Sequence, residues 1–109
     1  MFEFLLADPY EQRKVARYDA IWGFVSTASV NDGAQPYETA VEHPDYNEGD
    51  MVIVQAYDSK EEAIAGHNQW VTRMTHDPLP PALIDCGNSH IQQFCDTIGL
   101  ENTFPRKER

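Results

Sequence analysis

The sequence predicts an α+β fold, a small antiparallel sheet of three to four strands covered on one face by a long helix at about Lys60–His76. Three observations lead there. Ser59 and Glu62 form an S-x-x-E capping box, the arrangement in which a hydroxyl and a carboxyl satisfy the first unpaired amides of a helix. Behind it, Ala63, Ile64, His67, Trp70, Val71 and Met74 recur at three-to-four-residue spacing, an apolar stripe along one helix face. Ahead of it, runs rich in β-branched and aromatic residues are separated by turn signals, not by helical crossovers, which favours antiparallel neighbours.

Taken in order, Asp8-Pro9 is a helix start, since Asp caps free amides and Pro fits the first helical position. A short helix from Pro9 to about Tyr18 follows, making residues 1–19 an N-terminal helical arm. Ile21 to Val30 reads as a strand with Trp22, Phe24, Ala28 and Val30 on one face. Asn31-Asp32-Gly33 tolerates positive φ and marks a turn. Tyr37 to Val41 is the next strand, with Tyr37, Thr39 and Val41 facing one way, and His43 to Asp50 is a polar loop. Met51 to Tyr57 is mostly apolar and reads as a central strand. The helix after it stops at His76-Asp77, because the residue before Pro78 is biased away from helical backbone. Residues 20–77 are thus the core of a single domain spanning 1–109. Residues 78–109 are read as a stiff Pro-rich connector, a short helix at His90–Ile98 stopped by Gly99, and a basic tail from Leu100.

Composition bounds the function classes. At 109 residues, with 41% hydrophobic and 24% charged residues, the chain supports one modest core. No apolar run is long enough to span a bilayer, and the first residues lack a basic n-region, so a cytoplasmic protein is expected, or a virion protein if the chain assembles into one. The net charge is −10, unevenly placed: from Tyr18 to Phe104, 14 acidic residues face only Lys60 and Arg73. Arg13, Lys14 and Arg17 lie near one end and Arg106, Lys107 and Arg109 at the other. Such a body repels nucleic-acid backbones and anionic lipid, and no partner of either kind is expected. The charge can serve solubility alone, complementary docking of a basic end on an acidic body, or mimicry of a nucleic acid.

Candidate chemistry is sparse. His67 sits mid-stripe and faces the sheet, either as an imidazole satisfied by a hydroxyl or backbone partner or as a proton-handling group in a pocket. His76, Cys86, His90 and Cys95 hold a Cys-x3-His-x4-Cys spacing but lack the tight paired spacing of structural zinc sites. Nine residues apart, Cys86 and Cys95 are expected as buried thiols, not a disulfide. Glu38, Glu42, Asp45, Glu48 and Asp50 crowd one region without the spacing of a calcium loop and read as a solvated rim. No catalytic, cofactor-binding or metal-binding residue is assigned.

The stretch Met51 to Val71, MVIVQAYDSKEEAIAGHNQWV, resembles the strand-helix unit of the dimeric α/β-barrel proteins typified by antibiotic-biosynthesis monooxygenases. Those carry a similar strand, a Ser-x-Glu-Glu-Ala turn and a helix histidine. The resemblance implies a dimeric ligand-binding protein or small enzyme with His67, Trp70 and Trp22 lining a pocket. The second ββα half of such a subunit is not evident, because Pro78 onward reads helical. Separately, Pro36 to Thr75 is similar in style to small proteins of tailed bacteriophages. With the basic ends, this implies a non-enzymatic structural protein, a capsid, neck or tail accessory, contacting neighbouring protein subunits. Arg13, Lys14, Arg17, Phe104, Arg106, Lys107 and Arg109 are then the candidate interaction residues.

Overall fold

A computed structural model of the chain describes residues 12–31, 33–87 and 102–108. Four strands, β1 (Lys14–Ala20), β2 (Gly23–Ser29), β3 (Tyr37–Glu42) and β4 (Val52–Tyr57), form an antiparallel sheet in the order β1-β2-β3-β4. Helix α1 (Lys60–Thr75) packs across all four. Two short strands, β5 (Ala82–Ile84) and β6 (Thr103–Pro105), pair as a separate antiparallel ribbon. The ribbon is tied to the sheet where the Cys86 N–H donates to the Ile53 carbonyl at 2.8 Å.

The α+β class and the helix are as the capping box and stripe predict. Ser59 is the N-cap, its hydroxyl accepting from the Glu62 N–H at 3.2 Å and donating to the Glu62 carboxylate at 3.1 Å. The buried face of α1 is Ala63, Gly66, His67, Trp70 and Met74. Ile64 is instead 43% exposed, because the close approach centres on Gly66 and turns position 64 to the flank. In β2 the face that meets the helix carries Val25 and Thr27, both fully buried, and Phe24 and Ala28 lie on the opposite face. The core joins Val25, Val41, Tyr46, Val52, Trp70, Met74 and Leu83, with Trp22 and Phe104 packed against it.

Both ends depart from expectation. Of the helix expected from Pro9 to Tyr18, residues 9–11 lie outside the described residues, Gln12 and Arg13 have helical backbone, and Lys14 onward is strand. Pairing with β2 overrides the local cap signal, because it satisfies the backbone groups on the inner side of β1, whereas a short isolated helix is marginal in water. The stretch expected as a basic tail contains β6, whose ladder bonds run from Asp85 N–H to Asn102 O and from Arg106 N–H to Pro81 O. The helix expected at His90–Ile98 lies outside the described residues, as do Cys95 and Arg109. Among the described residues no helix is long and apolar enough to cross a membrane.

Candidate functional site

Two places hold polar chemistry, one buried beneath the helix and one open at the end of the sheet. The buried one begins with Thr27 and Thr39, directly opposed on β2 and β3 in a pair whose side chains approach closely. Their hydroxyls lie 2.6 Å apart. Thr27 Oγ1 is 2.8 Å from His67 Nδ1, and Thr39 Oγ1 is 2.9 Å from the Tyr57 hydroxyl. The result is a four-residue run, Tyr57–Thr39–Thr27–His67, with every member 5% exposed or less. One direction of donation suits it: the acidic phenol gives to Thr39, Thr39 to Thr27, and Thr27 to an unprotonated Nδ1. Among the described residues no buried side-chain nitrogen or oxygen lacks a partner.

Burial alone holds the His67 imidazole below its ordinary pKa. Tyr57 is raised, chiefly by burial, with the Thr39 hydrogen bond working the other way. Neutral forms are therefore favoured along the run. The consequence for stability has a definite sign. In the unfolded chain His67 titrates near the ordinary value of about 6.5, and in the fold it titrates lower. The stabilisation from neutral His67 is full above the unfolded value and drains away as pH falls towards the folded one. Urea midpoints should drop as the solution is acidified from pH ~7 through that window, and His67→Gln should flatten this part of the profile. An unchanged slope in the variant would mean that other groups carry it.

The pocket implied by the barrel resemblance needs His67, Trp70 and Trp22 around one space. His67 is spent on Thr27. The Trp70 indole N–H donates to the Gln55 side-chain oxygen at 2.8 Å, and the Arg73 guanidinium lies 4.7 Å above the Trp70 ring. Trp22 packs on His43, ring centres 5.0 Å apart. The two grooves described below are lined by none of the three.

The open place lies at the end of the sheet where the β1–β2 turn and the β3–β4 loop meet. His43 lies between Trp22, tilted against it, and Tyr46, which it meets edge-on, and its Nδ1 accepts the Asp45 N–H at 3.0 Å. Tyr46 is buried and its hydroxyl donates to the Pro80 carbonyl at 2.6 Å. Burial raises the Tyr46 pKa, with nearby Arg106 lowering it and Asp45 raising it. From this fixed base the chain runs through Asn47, Glu48 and Gly49 with φ of 51°, 56° and 86°. Left-handed backbone at Glu48 costs about 1 kcal/mol or more for a residue with a side chain. It is held by bonds from Gly49 N–H to Tyr46 O and from Asp50 N–H to Asn47 O.

The C-terminal segment folds back against this loop. The Lys107 N–H donates to the Asp45 carbonyl at 2.7 Å, and Arg106 Nε reaches the Asp45 carboxylate at 3.5 Å. Asp45 is 4% exposed, so it belongs to the body and not to a solvated rim. Between the two segments runs a groove of about 580 Å³. Pro44, Asp45, Asn47 and Glu48 form one wall, and Phe104, Pro105, Arg106 and Lys107 the other. A second groove of about 360 Å³ follows the helix C-terminus, between Thr72, Arg73 and the prolines from Pro78 to Pro81.

Three predicted interaction residues, Phe104, Arg106 and Lys107, therefore share one wall. Arg13, Lys14 and Arg17 lie elsewhere: Arg13 reaches the Ser29 carbonyl at 3.0 Å, and Lys14 and Arg17 are on β1 at the sheet edge. The partnership of Asp45 with the C-terminus had no local signal, since the two are 61 residues apart. Among the described residues no group of three His, Cys, Asp or Glu side chains is placed to hold a metal. Of the Cys/His set weighed for zinc, Cys86 is exposed, His76 bonds to the Thr72 carbonyl, and His90 and Cys95 lie outside the described residues. Comparison of the chain with family models, with curated proteins and with solved structures returned no match, so the functional reading rests on this geometry.

Proposed function

We propose that this chain is a non-enzymatic assembly protein that contacts neighbouring protein subunits, and that the groove between the β3–β4 loop and β6 is one of its contacts. The observation that carries the reading is the fold-back itself. A C-terminal segment that carries Arg106 and Lys107 just after β6 lies along an acidic loop and leaves a groove with Glu48 on one wall and Lys107 on the other. Phe104 and two prolines supply apolar, conformationally stiff surface between them. A neighbouring protein segment carrying charges of both signs fits this pattern, because complementary rim charges set register and orientation. At the same end of the sheet Ile21 is fully exposed and Met51 half exposed, apolar side chains of the kind that interfaces bury. The similarity in style to small tailed-phage proteins would make the assembly a virion.

Contact at this groove is through side chains. The ladder bonds at Asn102 and Arg106 turn the Pro105 nitrogen to the outer edge of β6, where it has no N–H to offer an added strand. Charge reversal is therefore the informative change. Lys107→Glu places two acids across the groove and should move the chain to smaller sedimenting species, with its far-UV spectrum unchanged. A sedimentation profile identical to wild type, both for the purified chain and in extracts of producing cells, would contradict the groove assignment.

A further inference from the structure

The buried run from Tyr57 to His67 has both of its ends on one turn of α1. At one end the imidazole of His67, which the helix itself carries, meets Thr27 Oγ1 at 2.8 Å. At the other the Tyr57 ring lies beneath Gly66, so close that a Cβ there would overlap it. Gly66 and His67 both belong to the buried face of α1. The run is thus a clasp between the sheet and residues 66–67 of the helix.

Its hydrogens have two arrangements. Thr27 and Thr39 each have one hydroxyl hydrogen and two neighbours along the run. Their oxygens are 2.6 Å apart, a separation that requires a hydrogen between them. If Thr39 supplies it, Thr27 donates to a bare His67 Nδ1 and Thr39 accepts from Tyr57. If Thr27 supplies it, Thr39 donates to the Tyr57 oxygen, and Nδ1 must carry a hydrogen to give to Thr27. The first arrangement gives every hydrogen in the run an acceptor. The second strands the phenolic hydrogen of Tyr57, whose hydrogen-bond partner among the described residues is Thr39.

We propose that the run is an acid-sensitive latch: a proton taken up at His67 Nδ1 reverses its direction of donation and frees the Gly66–His67 turn of α1 from the sheet. The inference uses neither the groove nor the assembly reading. The step is a single protonation. A solvent proton forms the Nδ1–H bond, and the three hydroxyl hydrogens turn about their own C–O bonds without leaving their oxygens. Both ends of the clasp then fail together. His67 becomes a buried cation beside a hydroxyl, and Tyr57 keeps an unpaired hydrogen in the tightest contact between helix and sheet.

Nothing nearby offsets the new charge. Directly opposed strand residues share a face, so the titratable residues turned to α1 are Tyr18 on β1, Tyr37 on β3 and Tyr57 on β4, with none on β2. All three are phenols, and no carboxylate stands among them. The charged side chains of α1 are Lys60, Glu61, Glu62 and Arg73, none within one turn of His67. Arg73 and Cys86 act on Tyr57, at the far end of the run. Burial alone accounts for the downward shift of His67, which agrees with this inventory.

The test follows amide hydrogen exchange residue by residue in the wild-type chain, as protection factors, from pH ~7 to ~5. Protection at residues 66–71 should fall roughly tenfold over that range, while Val25 and Val41 in the sheet keep theirs. Imidazole nitrogen shifts should show Nδ1 bare at the upper end and gaining a hydrogen as the helix turn loses protection. His67→Gln supplies an amide oxygen that accepts from Thr27 at every pH, so its protection should stay level. Tyr57→Phe has no hydrogen to strand, so its loss should be smaller than that of wild type. Level protection across the range in the wild-type chain would overturn the inference. So would a loss shared by β2 and β3, which is global unfolding, or a loss that persists unchanged in His67→Gln. If His67→Gln does not fold, the wild-type nitrogen shifts decide: a hydrogen on Nδ1 at pH ~7, with α1 fully protected, overturns the latch.

Discussion

Gly66→Ala is expected to lower stability by about 2 kcal/mol although it replaces glycine with the best helix former. In an exposed helix the change would gain about 1 kcal/mol. Here a Cβ on Gly66 would overlap the Tyr57 ring and hydroxyl. Tyr57 is held by Thr39 at 2.9 Å and buried, so its ring has nowhere to turn. Overpacking of that kind typically costs about 1–3 kcal/mol, here at the upper end because ring and helix backbone are both fixed. Thermal denaturation should show a midpoint lowered by roughly 10 °C. Tyr57→Phe removes one of the overlapping atoms, so the double variant should lose less than the sum of the two. Strict additivity would mean that the helix shifts away from the sheet as a unit.

Thr39→Val should be comparably damaging for a different reason. The Thr39 hydroxyl is the middle of the buried run and touches both Thr27 and Tyr57. Valine matches its shape, leaves the Tyr57 hydroxyl without the acceptor it uses and takes one of two partners from Thr27, which keeps His67. A buried hydroxyl so stranded costs about 1–3 kcal/mol, which relaxation partly relieves. A loss of about 2–3 kcal/mol in urea unfolding is expected. Combining it with Tyr57→Phe removes one orphaned hydroxyl and should recover part of that loss. A Thr39→Val variant as stable as wild type would mean that water satisfies the exposed ends.

What the sequence disclosed, and what it hid, follows from the range of the interactions involved. From Met51 to His76 the signals are local: a capping box, an apolar stripe and a proline stop each lie within a few residues of what they control. That His67 faces the sheet was legible from the stripe. Its partner was not, because Thr27 and Thr39 become neighbours only through the register of β2 with β3. The first strand was hidden by a strong helix signal at Asp8-Pro9 and by weak alternation in KVARYDA, whose strand character comes from pairing. The last strand is three residues long, too short to show a period, and its partner lies about twenty positions upstream.

That last point alters how the C-terminus is to be tested. Residues 102–107, which the sequence places in a basic tail, contribute Phe104 to the packing against the core, ladder bonds to β5 and the Lys107 bond to Asp45. Deleting Leu100 to Arg109 would therefore probe the fold as much as the contacts, and point reversals on the groove wall are the cleaner change. The acidic body and basic ends, read from the sequence as a possible intermolecular complement, are in part satisfied inside one chain by Arg106 and Asp45.

The central claim, that the chain works by contacting other protein subunits, is most directly tested by the mass of the intact chain in solution. Sedimentation of the wild-type chain, purified over a range of concentrations and also in gentle extracts of producing cells, reads it without substitution. The account predicts species heavier than the 12.4 kDa monomer, shifting to lower mass as salt screens the paired charges. A chain that stays at 12.4 kDa in every concentration and in the extract would contradict it.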